Sequence, residues 1–259
     1  MLSPRLLNRT AALAGASSAL IFVAAALTGC FMDLDETSLA DDPGDNKNGG
    51  APTKAHPAVG QLTSLFSECS AVLIAPSYVL SAAHCYRAAG SFVVESADGT
   101  RFTRSVVDSE MHPSYVPDVE TIPNFQFDVM VLELDAPLSD IAVMPLAVGN
   151  PQPKDTVEIV GYGITAAGGL DAGVKRQKAV IVESVDEHVI HIEPSAPGIT
   201  DGCQGDSGGA LLREEEGKTV QVGIISYVYA GCTSTHAVSI PSWRPWIDET
   251  VALLAARTK

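Results

Sequence analysis

Short apolar runs separated by turn residues dominate the chain from Pro57 onward, and they constrain the fold more than any other feature. The runs are rich in Val and Ile and span Ala58–Thr63, Cys69–Ile74, Tyr78–Ser81, Ser91–Glu95, Val129–Leu134, Val157–Val160, Ala179–Val182, Val189–Ile192, Val220–Ser226 and Ala237–Ile240. Glycine and proline breaks such as Asp98-Gly99 lie between them. Many short strands at close spacing predict an all-β sandwich or barrel.

The C-terminal segment departs from this pattern and predicts one helix over Trp243–Arg257. Its apolar residues recur at helical spacing, namely Trp246, Ile247, Val251 and Leu254. Pro245 suits the first turn of such a helix. Prolines also cluster near residues 138–155, where we expect a boundary between two comparable halves of the strands.

The pattern of the N-terminal residues predicts an export signal. Arg5 and Arg9 precede an uncharged run that ends Leu27-Thr28-Gly29-Cys30, which resembles the lipobox of bacterial lipoproteins. The resemblance implies that residues 1–29 are a signal peptide and that Cys30 carries the lipid, because several acyl chains anchor a protein stably where one does not. A plain secretory signal and an uncleaved membrane helix are the alternatives.

Residues 30–50 are predicted to be an acidic tether that stays solvated, since they offer much like charge and little to bury. A folded domain is expected over residues 51–259. The formal net charge of -15 argues against a nucleic-acid partner.

Phe31 after Cys30 favours the outer membrane of a bacterial envelope. The folded domain is then expected to be periplasmic or extracellular, and monomeric.

Five cysteines are an odd number, and lipidation of Cys30 explains the odd one. The other four flank the polar motifs and suggest two disulfides, which form in an oxidising compartment. Histidines outside those motifs lack suitable neighbours. His188 and His191 lie on opposite faces of a strand, so we predict neither a metal site nor a cofactor.

Three stretches carry residues suited to nucleophilic catalysis. Ser81-Ala82-Ala83-His84-Cys85 follows a strand, Asp128 precedes one, and Gly205-Asp206-Ser207-Gly208-Gly209 is a glycine-rich loop. A serine hydroxyl needs a base such as imidazole to take its proton, and the base needs a carboxylate to fix its tautomer. The oxyanion that develops also needs N–H donors.

These motifs occur in the order His, Asp, Ser. With them, the chain from about residue 49 to the end resembles the chymotrypsin/trypsin family of serine endopeptidases. The resemblance implies two antiparallel six-stranded Greek-key barrels with a C-terminal helix. It assigns His84 as general base, Asp128 as orienting acid and Ser207 as nucleophile, with the N–H groups of Gly205 and Ser207 forming the oxyanion hole. It also implies the disulfides Cys69–Cys85 and Cys203–Cys232, and a peptide or protein substrate.

The resemblance further suggests substrate-binding residues, which are Asp201, Ser226, Tyr227, Val228 and Ala237. Asp201 stands where an acid at the base of the primary pocket would bind Arg or Lys of a substrate, so cleavage after basic residues is expected. Val228 and Ala237 stand where the family has glycine walls. The competing expectation is a small apolar residue before the scissile bond, with Asp201 shielded.

The expected activation site departs from the family. Lys47-Asn48-Gly49-Gly50 matches the glycines of the family's Ile-Val-Gly-Gly start but lacks the Ile-Val pair. The amine that would pair with Asp206 is therefore atypical, or Asp206 has another partner. Two further readings remain open for the whole chain: a catalytically idle binding module of the same fold, and an esterase with the same triad.

Overall fold

The computed structural model describes residues 49–65, 67–117, 122–195, 201–228, 231–232 and 234–257, without the side chains of 122 and 123. The predicted signal peptide, Cys30 and Lys47 lie outside these residues. Thirteen strands are present in the described part of the chain: β1 Ala51–Pro52, β2 Val59–Thr63, β3 Glu68–Ala75, β4 Tyr78–Ser81, β5 Ser91–Glu95, β6 Arg101–Met111, β7 Met130–Leu134, β8 Thr156–Gly161, β9 Arg176–Val185, β10 Val189–Glu193, β11 Ala210–Glu215, β12 Lys218–Val228 and β13 Thr235–Ser239.

The strands form two closed antiparallel barrels of six strands each, as the sequence predicted. The first barrel closes in the order β2-β3-β4-β7-β6-β5. The second follows the order β9-β10-β13-β12-β11-β8 and closes through a β8–β9 pairing, with the short β1 added at β9. The two orders are the same when the strands are counted from the start of each barrel. The halves are therefore a structural repeat that the sequence does not display.

Strand β6 was not predicted, because its exposed and half-buried residues alternate without an apolar run. It closes the first barrel by pairing with β5 and β7. Each barrel has a core of inward-facing apolar side chains, with Phe92 and Leu62 among the largest in the first and Ile190 and Leu211 in the second.

Three helical segments are described. A 3-10 helix covers Ala83–Ala88, α1 covers Ile122–Phe125, and α2 covers Ile240–Arg257. Helix α2 begins one turn earlier than predicted, so Pro245 lies inside the helix rather than in its first turn. None of the helices in the described segments is both long and apolar enough to cross a membrane.

Helix α2 packs its apolar face against the body of the protein, with Ile247 and Leu254 fully buried. Near its start, the Trp243 indole N–H donates to the Gln126 carbonyl at 2.8 Å. Trp243 also stacks with His188, and its ring centroid lies 4.3 Å from that of His112. The helix that follows the second barrel therefore holds the segment of the first barrel that leads to Asp128.

Candidate active site

His84 is held in one orientation by Asp128. Strand β4 ends at Ser81, and the 3-10 helix then places His84 in its first turn. The His84 backbone N–H donates to Asp128 Oδ1 at 2.8 Å, and His84 Nδ1 lies 2.7 Å from Asp128 Oδ2. A carboxylate accepts at this distance, so Nδ1 carries the proton and Nε2 is the nitrogen that can act as a base.

Asp128 is fully buried at the start of β7. Burial raises the pKa of its carboxyl, but the charge of His84 and the hydrogen bonds from His84 and Ser226 outweigh burial, and the pKa falls below its usual value. The carboxylate therefore stays ionised where it can stabilise a protonated imidazole.

Ser226 joins Asp128 to Ser207. The Ser226 hydroxyl donates to Asp128 Oδ2 at 2.5 Å, and the Ser226 carbonyl accepts from Ser207 Oγ at 3.5 Å. Ser226 comes from β12 of the second barrel, whereas His84 and Asp128 come from the first. The three polar stretches of the sequence thus meet in the cleft between the barrels, with Ser226 beside them.

The loop that carries Ser207 leaves two N–H groups available. Gly205 has φ +97° and Gly208 has φ +79°, conformations that glycine adopts readily. Among the described residues, the N–H groups of Gly205 and Ser207 donate to no other residue. Two such donors beside a nucleophile are the arrangement that an oxyanion requires.

Ser70 supports this loop from the first barrel and was missed by the sequence analysis. Its hydroxyl donates to the Gly205 carbonyl at 2.7 Å and accepts from the Tyr162 N–H at 2.9 Å, while its own N–H donates to the Ser207 carbonyl at 2.8 Å. A buried strand serine has no signature in a single sequence, so no signal could have found it.

Gly208 has no room for a side chain. A Cβ at this position would lie 2.1 Å from Ser81 Oγ and 2.2 Å from the Ser70 carbonyl. Ser81 Oγ itself donates to that carbonyl at 2.9 Å. The first serine of the His84 stretch and a glycine of the Ser207 loop are therefore in direct contact, which fixes the distance between the two stretches.

Asp206 is buried and is held by backbone N–H groups. Its Oδ1 accepts from Gly163 at 2.7 Å, and its Oδ2 accepts from Cys203 at 2.9 Å. Burial raises its pKa to about 6, although these hydrogen bonds and the charge of Arg176 act in the opposite direction. Gly163 is required here, because a Cβ on it would lie 2.3 Å from Asp206 Oδ2.

Both disulfides that the resemblance implied are formed, Cys69–Cys85 and Cys203–Cys232. The first lies beside His84, and its sulfur atoms and a ring nitrogen of His84 are within 4.8 Å of one another. The sulfurs are bonded to each other and are not thiolates, so this trio does not offer the ligand set of a metal site.

Asp201 does not face the cleft as a free carboxylate. Its Oδ1 lies 2.8 Å from Lys178 Nζ, and both side chains are buried, at 1% and 4% exposure. Ser195 donates to it twice, through its hydroxyl at 2.6 Å and its N–H at 2.9 Å. Lys178 lies 23 residues before Asp201 on β9, and no local pattern in the sequence predicts that the two residues pair.

Ala237 does not line a pocket, contrary to the expectation from the sequence. It is fully buried in the core of the second barrel, where it opposes Ile225 on β12. The residue of β13 that pairs with Val228 is Thr235. Thr235 also approaches the Asp201 segment, since a Cβ on Gly202 would lie 3.1 Å from Thr235 Oγ1. The register that buries Ala237 is not visible in a single sequence, which is why Ala237 was expected at a pocket wall.

Tyr227 lies between two rings. Its centroid is 4.3 Å from that of Phe125 and 4.3 Å from that of His236, and both pairs are stacked. His236 Nδ1 lies 2.8 Å from His191 Nδ1, and burial and His191 lower the pKa of His236 to about 4. The stack holds the Tyr227 ring next in sequence to Ser226, and its role in substrate binding stays a prediction.

Known proteins resemble this chain over most of its folded part. A sequence model described as Trypsin matches residues 47–247. The Suppressor of tumorigenicity 14 protein homolog of Bos taurus is 28% identical over 216 residues, which are 71% of this chain and 25% of that protein. Transmembrane protease serine 9 of Rattus norvegicus is 32% identical over 191 residues, 65% of this chain and 17% of that protein. The chain thus matches a quarter or less of these relatives.

Two solved structures share the fold. One is neuropsin, a serine protease expressed in the limbic system of mouse brain, with a TM-score of 0.64 and 23% identity over 76% of this chain and 95% of that one. The other is a mutant of human heparin binding protein, with a TM-score of 0.64 and 20% identity over 78% of this chain and 94% of that one.

Proposed function

Because the chain belongs to the trypsin family of serine proteases, we propose that it is an active serine endopeptidase that uses Ser207, His84 and Asp128. The observation that carries the proposal is the double hydrogen bond from His84 to the buried Asp128, at 2.8 and 2.7 Å. This geometry fixes the tautomer that a base must have, and a merely structural histidine has no need of it.

The first step is attack by Ser207 Oγ on the carbonyl carbon of the scissile peptide bond. His84 Nε2 takes the hydroxyl proton as the C–O bond forms, and the carbonyl oxygen becomes an oxyanion. The N–H groups of Gly205 and Ser207 donate to that oxygen. One such donor contributes about 10²- to 10³-fold to the rate, because it is already oriented when the charge appears.

The second step breaks the C–N bond. Protonated His84 gives its proton to the leaving amine, which departs and leaves an acyl group on Ser207. Water then attacks the acyl carbon with His84 as base, and the acid product is released with Ser207 restored. Asp128 stays ionised throughout and stabilises each imidazolium, as its lowered pKa allows.

The test is labelling with a fluorophosphonate probe, followed by a peptide assay. We expect labelling of the wild-type protein, none of Ser207→Ala, and strongly slowed labelling of His84→Ala. Cleavage of casein or peptides with the same dependence on Ser207 would support the endopeptidase, whereas hydrolysis of esters alone would indicate an esterase. A folded wild-type protein that takes no label would overturn the proposal.

A binding module of the same fold is the second candidate. Among the described residues, Asp206 receives backbone N–H groups, whereas the family pairs this acid with a freed N-terminal amine. The Ile-Val start that would supply the usual amine is also absent from Lys47-Asn48-Gly49-Gly50. If the Ser207 loop needs that amine, the site is idle, and the probe experiment separates the two candidates.

The preference for Arg or Lys that Asp201 suggested has no support in this geometry. Such a preference needs a carboxylate that can meet a substrate cation, and Asp201 already meets the Lys178 ammonium at 2.8 Å. The proposed function is therefore that of a serine endopeptidase without a basic preference.

The lipid anchor at Cys30 is a separate proposal that the sequence supports. The uncharged run before Leu27-Thr28-Gly29-Cys30 places the protein in a bacterial envelope, held by its lipid. Expression in a bacterial host with labelled palmitate tests it. We expect label in the wild-type protein and none in Cys30→Ala, and label-free wild-type protein in the soluble fraction would contradict the anchor.

A further inference from the structure

Lys178 and Asp201 form an ion pair that is closed to solvent. Lys178 extends from β9, where it pairs with Ile159 of β8, so its backbone is part of the wall of the second barrel. Its Nζ reaches Asp201 Oδ1 at 2.8 Å, and the two side chains are 4% and 1% exposed. The cation therefore approaches Asp201 from inside the protein and not from the cleft.

The Asp201 carboxylate has further donors besides Lys178. Ser195 contributes its hydroxyl to Oδ1 at 2.6 Å and its N–H to Oδ2 at 2.9 Å. With the Lys178 ammonium, three donors meet its two oxygens, and its charge is already paired. A substrate cation gains little from a carboxylate that is already neutralised, and displacing Lys178 would leave a buried charge without a partner.

Gly50 packs against the start of the Lys178 side chain. A Cβ on Gly50 would be 3.0 Å from Lys178 Cβ and 2.4 Å from the Gln177 carbonyl. The segment that leads into β1 therefore covers Lys178 on this side, in keeping with the 4% exposure of the Lys178 side chain.

The residues of β12 and β13 near Asp201 are uncharged. Val228 pairs with Thr235 in the register of these strands, and a Cβ on Gly202 would lie 3.1 Å from Thr235 Oγ1. Thr235 is buried and Val228 is half-buried, so Val228 is the one of the two that a substrate can reach. Its branched apolar side chain stands where the family has glycine, which favours a short substrate side chain and supplies no charge for a substrate to meet.

We propose that Lys178 determines the substrate preference of this protein: it neutralises Asp201 from within, so that the primary pocket takes a small uncharged side chain and rejects Arg and Lys. The inference rests on the proposed endopeptidase activity. It names a residue outside the cleft as the determinant, and it predicts that removing the Lys178 charge converts the preference.

The first experiment compares peptides that differ only in the residue before the scissile bond, with Ala, Val, Thr, Arg or Lys at that position. For the wild-type protein we expect kcat/KM for Ala, Val or Thr to exceed that for Arg and Lys by at least about 10-fold. In Lys178→Met, which keeps the length of the stem without the charge, the ratio of Arg to Ala should rise by about 10- to 100-fold, because Asp201 then needs a cation.

Two further variants control for the charge. Lys178→Arg keeps the cation and should keep the small-residue preference. The double variant Lys178→Met with Asp201→Asn has no charge in the pocket and should gain no basic preference. Wild-type protein that favours Arg or Lys would overturn the proposal, and so would a folded Lys178→Met variant with an unchanged ratio of Arg to Ala.

A binding measurement separates this inference from the proposed activity. Benzamidinium, a cation of side-chain size, is titrated calorimetrically into Ser207→Ala and into the same protein with Lys178→Met. We expect no measurable binding to the first and binding to the second. If Lys178→Met does not fold, benzamidinium bound by Ser207→Ala refutes the proposal, and its absence together with the wild-type peptide profile supports it. Failure of labelling at Ser207 would refute the proposed enzyme activity, but it would not affect the conclusion from benzamidinium binding.

Discussion

At the scale of single residues, each candidate catalytic group is oriented by hydrogen bonds from other side chains. Asp128 orients His84, and Ser226 in turn orients Asp128 from the other barrel. Ser70 holds the carbonyls of Gly205 and Ser207 and so anchors the loop that carries the nucleophile to the first barrel. A site built in this way is sensitive to small polar residues that never touch the substrate.

Ser226→Ala should impair the site without removing any group that reacts. It deletes the donor 2.5 Å from Asp128 Oδ2, so the carboxylate becomes more basic and the imidazolium of His84 more stable. We expect kcat/KM to fall roughly 10-fold, since a hydrogen bond to a charged group contributes about 1.5–3 kcal/mol. The acid limb of the pH profile should move to higher pH.

The matched control is Ser239→Ala, which removes another fully buried strand hydroxyl, one that donates to Asn150 and caps α2 at the Ser242 N–H. It should lower stability by the loss of that cap, about 0.5–2 kcal/mol. The pH dependence of kcat/KM should be the same in this variant as in the wild-type protein. A Ser226→Ala protein with an unshifted acid limb would show that its hydroxyl only fills space.

Asp206 should make stability depend on pH. Its pKa in the folded protein is about 6, above its ordinary value of 3.8, so its contribution to stability is full below pH 4 and is lost as the pH rises through 6. Relative to Asp206→Asn, the wild-type free energy of unfolding should fall by roughly 3 kcal/mol between pH 4 and 7. Denaturant titrations of both proteins at several pH values measure it.

The opposite trend, with the wild-type protein gaining stability over Asp206→Asn as the pH rises, would mean that a cation pairs with Asp206. A freed amine near Gly49 would produce this trend. Comparing intact and proteolytically trimmed protein would then identify the source of that cation.

At the scale of elements, α2 joins the barrels. Its start carries Trp243, which bonds to the segment before Asp128, while Ile247 and Leu254 lie in the core. The helix is thus coupled to the site through the first barrel although it follows the second in sequence. Its contribution to stability comes from this buried face and from its N-terminal cap, where Ser239 Oγ accepts from the Ser242 N–H at 3.2 Å.

Leu254→Ala should destabilise the protein by about 2–5 kcal/mol, because it leaves a cavity in a closed core. The neighbouring Leu253 is 46% exposed on the same helix, and Leu253→Ala should change stability by less than about 0.5 kcal/mol. Thermal unfolding of the two variants tests the predicted orientation of α2. Equal losses would show that the helix is rotated from the position described.

At the scale of the whole molecule, two barrels of the same strand order form one cleft. His84 and Asp128 come from the first barrel and Ser207 from the second, so neither half contains the site. The chain as a whole is acidic, with a formal net charge of -15. Such a charge repels polyanions and favours basic partners.

We expect the protein to pass unretained over immobilised heparin and over DNA at low salt, because its net charge of -15 repels polyanions. This distinguishes it from the similarly folded protein that is named for heparin binding. A protein of known positive charge serves as the column control. Salt-dependent retention of this chain would reveal a basic patch that the net charge conceals.

The sequence by itself indicated the candidate catalytic residues and determined the class of fold. Local patterns can be recognised in a single sequence. They include the apolar runs of the strands, the helical spacing near Leu254 and the motifs around His84 and Ser207. The position of Ser70 under the Ser207 loop, the Thr235–Val228 register and the Lys178–Asp201 ion pair were decided only by the tertiary structure. They join residues distant in sequence through strand pairing, and a single sequence does not record which strands pair or in what register.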